Sequence, residues 1–144
     1  MCSQLEELDV LDLLSKRHMN LRKKVERMWN AANEIKISNS EWYVISYTYK
    51  QQPTIATITK QVDITRQATH KLIKGLEQKG VLEIQNALHN KKDKCVTLTS
   101  YGESIYEEYT KIKNELELDI SHHIGKKQLQ LLKAIISCDW GIED

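Results

Sequence analysis

The sequence contains very few residues that break helices. It has one proline and five glycines among 144 residues, and it has no phenylalanine. Because proline and glycine interrupt regular elements, their scarcity favours long helices over a loop-rich fold. The length fits one domain with a core of its own, which we place at residues 1–144.

The sequence also lacks the features of membrane and secreted proteins. No apolar run approaches the roughly 20 residues that a membrane-spanning helix needs. The N-terminus does not have the basic-then-apolar order of a signal peptide, so we expect a cytoplasmic protein. Its three cysteines, Cys2, Cys95 and Cys138, are an odd number without CxxC spacing. This pattern indicates reduced thiols rather than a disulfide framework or a zinc module.

Motifs of catalysis and metal binding are missing as well. The sequence has no glycine-rich phosphate loop, no nucleophile elbow and no HExxH pattern, so we expect no enzymatic activity and no cofactor. His18 interrupts an apolar seam, where a polar residue most often fixes register; a pH or metal role is the alternative. His122 and His123 are adjacent, so their side chains diverge on a helix and do not suggest a zinc site.

One stretch of the chain lacks acidic residues. Asp and Glu make up 20 of the 144 residues, yet none lies from Thr65 to Leu76. The wider segment 60–95 has eight basic and four acidic residues, a net charge of +4 against +1 for the whole chain. A basic middle between less basic ends is typical of a module that binds a polyanion. A solvated basic helix face is the alternative interpretation.

Apolar spacing predicts long helices at both ends of the chain. From Leu11 to Ile35, apolar residues and His18 recur in steps of three and four, which is a seam that one helix cannot bury alone. The same spacing recurs from Ile105 to Leu116. A final helix carries four apolar residues: Leu129, Leu132, Ile135 and Ile136. Such helices at both termini are what a dimer built from the termini would need.

The middle of the chain predicts three shorter helices with capping residues. Ser38 and Glu41 have the spacing of a capping box. Thr54 can cap the next helix, and Thr65 can cap the acid-free one. Gly80 should close that helix, because only glycine enters the left-handed region at low cost.

The acid-free helix divides into two sides at about 100° per residue. The apolar side should pack on the core: Ala68, Leu72, Ile73 and Leu76. The other side carries polar and basic residues: Gln67, His70, Lys71, Lys74 and Gln78, with Arg66 at its margin.

Two β-rich segments follow, VLEIQN and KCVTLT, joined by the polar stretch ALHNKKD. Their alternation predicts a hairpin with a seven-residue basic tip. Thr99 and Ser100 can cap the next helix, with Glu103 completing a Ser-x-x-Glu box. The predicted fold class is therefore mainly α with a small β-hairpin wing. It is a winged helix-turn-helix with N- and C-terminal dimerisation helices.

Three stretches in this order resemble the MarR family of bacterial transcription regulators. ISNSEWYVI resembles the family's capped helix, TIATITKQVDITRQATHKLIKGLEQKGVL its helix-turn-helix, and NKKDKCVTLTSYG its wing. The resemblance covers nearly the whole chain. It implies a DNA-binding core at about 38–99 and dimerisation helices at about 5–36 and 100–140. Asn90 and Lys92 stand where the family's wing usually has Asp and Arg, and lysine settles less well in a narrow minor groove.

The resemblance implies a homodimer that binds a near-palindromic duplex and regulates transcription, by default as a repressor. The expected DNA contacts lie on the acid-free helix and the wing: Thr65, Arg66, Gln67, Thr69, His70, Lys71, Lys74, Lys91 and Lys92. Family members often bind small aromatic or phenolic effectors that lower DNA affinity. Aromatic side chains are candidates for lining such a pocket, with a plain core role as the alternative: Trp29, Trp42, Tyr43, Tyr49 and Tyr101. Two other readings stay open, namely a winged-helix module that binds a protein partner and a redox-responsive regulator that senses peroxide through Cys2.

Overall fold

The computed structural model describes residues 7–87 and 90–143. Six helices and one two-stranded antiparallel sheet form this part of the chain: α1 (Val10–Ala32), α2 (Asn39–Thr48), α3 (Ile55–Val62), α4 (Arg66–Gln78), β1 (Leu82–Ala87), β2 (Asn90–Leu98), α5 (Ser100–Ile124) and α6 (Lys126–Ser137). The order confirms the predicted arrangement of four helices, a hairpin and two further helices. Cys2 lies outside the described residues.

The three middle helices begin at the predicted capping residues. The hydroxyl of Ser38 accepts a hydrogen bond from the Glu41 N–H, and the Glu41 carboxylate accepts one from the Ser38 N–H. Thr54 and Thr65 each accept from the backbone N–H three positions further on. These bonds satisfy N–H groups that the first turn of a helix leaves unpaired. The starts of α2, α3 and α4 are therefore fixed locally.

Helix α4 ends as predicted at a glycine with a left-handed backbone. Gly80 has φ of 77°. Its N–H donates to the Glu77 carbonyl, and the Val81 N–H donates to the Leu76 carbonyl. This pair of bonds is the Schellman motif, which satisfies carbonyls at the end of the helix and turns the chain into β1.

The core lies between α2, α3, α4, the base of the hairpin and the first half of α5. Its fully buried aliphatic side chains come from all of these elements except α5: Val44, Ile45, Ile58, Ile73, Leu76, Val81, Leu82 and Val96. Three aromatic rings from α1, α2 and α5 extend it towards the long helices: Trp29, Trp42 and Tyr109. This core holds α4 by one side only.

The hairpin is longer than the sequence predicts. β1 and β2 pair from Leu82 with Leu98 up to Asn86 with Lys94, and the register shifts between Asn86 and Ala87. β2 starts at Asn90, so most of the predicted tip ALHNKKD belongs to the strands. The polar composition of this stretch predicted a loop. A two-stranded ribbon can expose both faces to water, so its strands need not alternate apolar and polar residues.

A close backbone contact joins the hairpin to α5. The Thr99 N–H donates to the Val81 carbonyl, and the Thr99 hydroxyl caps α5 by accepting from the Gly102 N–H. A Cβ at Gly102 would overlap the Val81 carbonyl, so this position needs glycine. The predicted Ser100–Glu103 box is wrong, because the strand pairing fixes Thr99 as the N-cap one residue earlier.

The outer helices leave many large apolar side chains exposed. Those of α1 are Val10, Leu11, Leu13, Leu14, Met19 and Leu21, and those of α6 are Leu131, Leu132, Ile135 and Ile136. The predicted seam of α1 ends early, because the helix stops at Ala32 and half-buried Ile35 lies in the following segment. Within the described residues, nothing covers these apolar faces.

Candidate nucleic-acid interface

Helix α4 presents one polar side to solvent. It follows α3 after a tight turn in which Asp63 takes a left-handed backbone with φ of 52°. Ile73 and Leu76 are buried against the core. The opposite side chains are exposed: Arg66, Gln67, His70, Lys71, Lys74, Glu77 and Gln78. The predicted division of the helix into two sides is correct for these residues apart from Glu77, which the prediction did not assign to a side.

Thr69 is the exception among the predicted contacts on α4. Its side chain is fully buried, and its hydroxyl donates to the Thr65 carbonyl one turn earlier. Thr69 stands four positions before Ile73, which places it on the apolar side. The prediction that Thr69 contacts DNA is therefore wrong.

The exposed side of α4 carries nearly uncompensated positive charge. Lys74 and Glu77 approach to 3.9 Å, but both side chains are largely exposed and such pairs contribute little. Within the described residues, Arg66 and Lys71 form no ion pair. Arg66 and Gln67 occupy the first turn next to the cap Thr65, where the helix dipole favours an anion.

The wing contributes a second set of basic residues. The side chains of Lys91 and Lys92 lie outside what the structure describes, so their predicted contacts stay predictions. Lys94 is exposed on β2 next to Asp93, which is also exposed. Lys94 was absent from the predicted contacts, although the basic count of the segment includes it.

The predicted aromatic residues do not line one pocket. Trp29 and Trp42 are almost fully buried and border a cavity of about 250 Å³ between α1 and α2. Tyr43 borders a separate cavity of about 420 Å³, together with Tyr47 and the end of α3.

Tyr49 and Tyr101 border neither of these cavities. The Tyr49 hydroxyl donates to the Glu107 carboxylate, and its ring packs on Tyr106 at 4.5 Å. Tyr101 is 47% exposed at the start of α5. The five candidates therefore do not border one common cavity in the described part of the chain, because helical spacing fixes the face of a residue but not the cavity that the face meets; a pocket role for any one of them stays a prediction.

A cluster of two cations and two phenols joins α1, α2 and α5. Arg22 donates to the hydroxyls of Tyr109 and Tyr43 at 2.9 and 3.0 Å. The Lys113 ammonium lies 4.5 Å from the centre of the Tyr109 ring. Neither cation pairs with a carboxylate in the described part of the chain. Local sequence patterns do not indicate this cluster, because its members lie on three separate helices.

We call these four residues the Arg22 cluster: Arg22, Tyr43, Tyr109 and Lys113. Burial and charge both shift pKa values within it. Burial lowers the pKa of Lys113, and the nearby Arg22 charge lowers it further, against a weaker opposite effect of Glu117. Burial likewise raises the pKa of Tyr109, although Arg22 opposes this. The cluster is therefore a half-buried site with excess positive charge, which favours a bound anion.

Other kinds of site are not indicated by the residues that the structure describes. Across 7–87 and 90–143, no group of three His, Cys, Asp or Glu side chains converges as metal ligands would. No helix in that part of the chain is long and apolar enough to cross a membrane. Cys95 is buried in β2 and Cys138 is exposed, both as free thiols.

No protein-family model matches the chain. Among curated proteins, it is 29% identical over 68 residues to uncharacterized HTH-type transcriptional regulators of Staphylococcus aureus strains Mu50 and N315. The match covers 46% of this chain and 47% of each relative. The chain thus spans about half the length of the curated relatives it matches.

Solved structures are similar over almost the whole chain. MepR of S. aureus, a transcription regulator of the multidrug efflux pump MepA, has a TM-score of 0.73 at 19% identity, with 90% of this chain and 95% of MepR covered. A MepR–DNA complex has a TM-score of 0.73 at 20% identity, with 91% and 95% covered. NadR in complex with 4-hydroxyphenylacetate has a TM-score of 0.70 at 20% identity, with 91% and 92% covered. Both are MarR-family winged-helix regulators, so the predicted fold is confirmed.

Proposed function

We propose that the chain is a MarR-type transcription regulator that binds double-stranded DNA. The basic residues on the exposed side of α4 carry this proposal, because Arg66 and Lys71 form no ion pair among the described residues and a basic helix of a winged helix-turn-helix suits a polyanion. The solved complex of MepR with DNA supports a duplex as the ligand of this fold. Repression is the default mode that the sequence resemblance implies.

In this proposal, α4 enters the major groove by its N-terminal half. Lys71 and Lys74 neutralise phosphates and release counterions. Arg66 and Gln67 pair with base edges, and His70 is a secondary contact. The Thr65 hydroxyl and the first-turn N–H groups of α4 donate hydrogen bonds to a phosphate.

A second copy of the chain completes the molecule. The exposed apolar faces of α1 and α6 provide the surface, because monomeric proteins rarely expose so many large apolar side chains together. Both faces belong to the outer helices, so their pairing leaves α4 free. Two copies related by a two-fold axis would place their α4 helices one DNA turn apart, on a near-palindromic operator.

The Arg22 cluster is the proposed effector site, and its chemistry suits a phenolic carboxylate. Tyr43 and Tyr109 accept hydrogen bonds from Arg22, so each hydroxyl keeps a proton to donate to an anion. NadR was solved with 4-hydroxyphenylacetate, which is such a compound. Binding between α1, α2 and α5 would favour one arrangement of the helices and lower the DNA affinity.

The DNA-binding proposal is tested by the salt dependence of duplex binding. Lys71→Ala and Lys74→Ala should each weaken binding to every sequence and reduce the slope of log affinity against log salt by roughly one. Unchanged affinity and slope in both variants would exclude this docking. If random duplex gives no salt-dependent binding at all, the alternative of a module that binds a protein partner is favoured instead.

The effector proposal is tested by calorimetry with 4-hydroxyphenylacetate and its neutral amide. We expect the acid to bind the wild type and Lys23→Gln, whose exposed position on α1 is outside the Arg22 cluster. Arg22→Met should bind the acid at least about tenfold more weakly, since a charge-assisted bond is lost. Equal affinity for acid and amide would contradict anion recognition. For the Cys2 alternative, peroxide should change the DNA affinity of the wild type but not of Cys2→Ser.

A further inference from the structure

We infer that Lys79 is a positioning residue for DNA binding and not a DNA contact. By sequence it belongs to the basic segment 60–95, yet its ammonium faces the protein. The Lys79 Nζ lies 2.7 Å from the Lys36 carbonyl oxygen and 2.9 Å from each oxygen of the Glu41 carboxylate. An ammonium has three N–H donors, and these three acceptors use all of them. The inference rests on the proposed function.

The contacts of Lys79 join three segments of the chain. Lys79 is the C-cap residue between α4 and Gly80, Glu41 is in the first turn of α2, and Lys36 is in the segment between α1 and α2. We call this set of contacts the Lys79 latch: Lys36, Glu41 and Lys79. It fixes the C-terminal end of α4 to the base of α2.

Among the residues that the structure describes, Lys79 is the ion-pair partner of Glu41. The Glu41 side chain is only 10% exposed, and besides Lys79 it accepts the Ser38 N–H of the capping box. A Cβ at Gly75 would stand 3.9 Å from its carboxylate, so α4 runs directly beside it. Glu41 is nearly buried while Lys79 is 34% exposed, so loss of Lys79 would leave the Glu41 carboxylate without its ion-pair partner, and the latch depends on this contact.

The latch is continuous with α1. The Trp29 indole N–H donates to the Ile35 carbonyl, and the Asn33 N–H donates to the Trp29 carbonyl. The segment from Asn33 to Lys36 is therefore held at one end by Trp29 of α1 and at the other by Lys79. In the proposed dimer, α1 belongs to the interface, so the latch sets the direction of each α4 relative to its partner.

The salt dependence of operator binding separates a positioning residue from a phosphate contact. The operator is first selected from random duplex by the wild-type dimer. Lys74→Met should reduce the salt slope by roughly one, as the loss of a phosphate contact does. Lys79→Met should lower affinity by about tenfold, a typical size for indirect coupling, and leave the slope at its wild-type value. A slope reduced by about one in Lys79→Met would overturn the inference.

Half-site spacing gives a second readout. One inserted base pair moves the half-sites by about 3.4 Å and rotates them by about 34°. The wild type should lose more affinity from this insertion than Lys79→Met, whose α4 helices are less firmly oriented. An equal loss in both proteins would also overturn the inference.

Two further variants distinguish the loss of the Lys79–Glu41 contact from a general loss of folding. Glu41→Gln keeps a side chain suited to the capping box but removes the charge that Lys79 faces; it should repeat the spacing tolerance of Lys79→Met. Lys79→Arg, which keeps the charge, should restore most of the spacing preference. Failure of the wild type to bind any duplex would overturn the proposed function together with this role, whereas a reduced slope in Lys79→Met overturns the inference alone.

Discussion

The indole of Trp42 lies flat on the phenol ring of Tyr109, with ring centroids 3.8 Å apart and planes 5° apart. Trp42 belongs to α2 and Tyr109 to α5. Trp29 of α1 meets Trp42 edge-on at 4.9 Å. Aromatic pairs of this geometry stabilise beyond their buried area. The rings therefore bind the core to both long helices.

Trp42→Ala should lower the free energy of unfolding by about 3–5 kcal/mol, because a large ring is lost from a packed site. Denaturant unfolding at one fixed protein concentration measures this, since a dimer's stability depends on concentration. Tyr101→Ala is the control, because this ring is half exposed and should cost about 0.5 kcal/mol. Equal losses in the two variants would contradict the role of the stacked rings.

Two glycines of the α4 segment should respond to alanine with opposite sign. Gly80→Ala forces a left-handed backbone on a residue with a Cβ and should destabilise by roughly 1–2 kcal/mol. Gly75 lies inside α4, and an added Cβ there would meet only the Glu41 carboxylate at ordinary van der Waals distance. Because glycine is unfavourable inside a helix, Gly75→Ala should stabilise the fold by roughly 0.5–1 kcal/mol. Thermal unfolding of both variants checks this, and a shift in the same direction would refute it.

Arg66→Ala and Gln67→Ala should each relax the base preference at one position of each half-site. A good bidentate pair is worth about 1–3 kcal/mol of discrimination, so its loss should be visible in the sequences selected from a randomised duplex library. Lys74→Ala is the control, because a phosphate contact changes affinity without changing the consensus. The wild-type consensus recovered with both variants would remove these residues from base recognition.

Leu132→Glu should convert the proposed dimer to a monomer that keeps its helices. The side chain is 44% exposed in one chain, so the fold itself tolerates a charge there, whereas an apolar interface does not. Sedimentation and circular dichroism measure the two effects. Gln52→Glu adds the same charge at an exposed site between α2 and α3 and should stay dimeric. A Leu132→Glu dimer of wild-type affinity would argue against α6 as part of the interface.

The sequence predicts the parts of this fold that depend on local chemistry. Caps at Ser38, Thr54 and Thr65 and the stop at Gly80 are confirmed, because each uses neighbours within a few positions. Thr69 is polar in composition, but it lies one helical turn before Ile73 and so falls on the buried side of α4. That spacing was the available signal.

Long-range contacts could not be predicted from the sequence, for a different reason. Lys79 and Glu41 are 38 positions apart, and Arg22 and Tyr109 are 87 apart. Each of these residues is ordinary in its local pattern, and only the packed helices bring the partners together. The same holds for the two cavities, which depend on how α1, α2 and α3 meet.

Helix α5 is one uninterrupted rod of 25 residues, about 37 Å long. Its first half is buried in the hydrophobic core at Ile105, Tyr109 and Ile112, and its second half is mostly exposed. Such a rod acts as a lever arm: a tilt of about 5° at one end displaces the other by about 3 Å over this length. That displacement is close to the rise of one base pair, roughly 3.4 Å. In the proposed DNA complex, a change of packing too small to alter any helix would therefore be enough to shift α4 by about one base pair along the duplex.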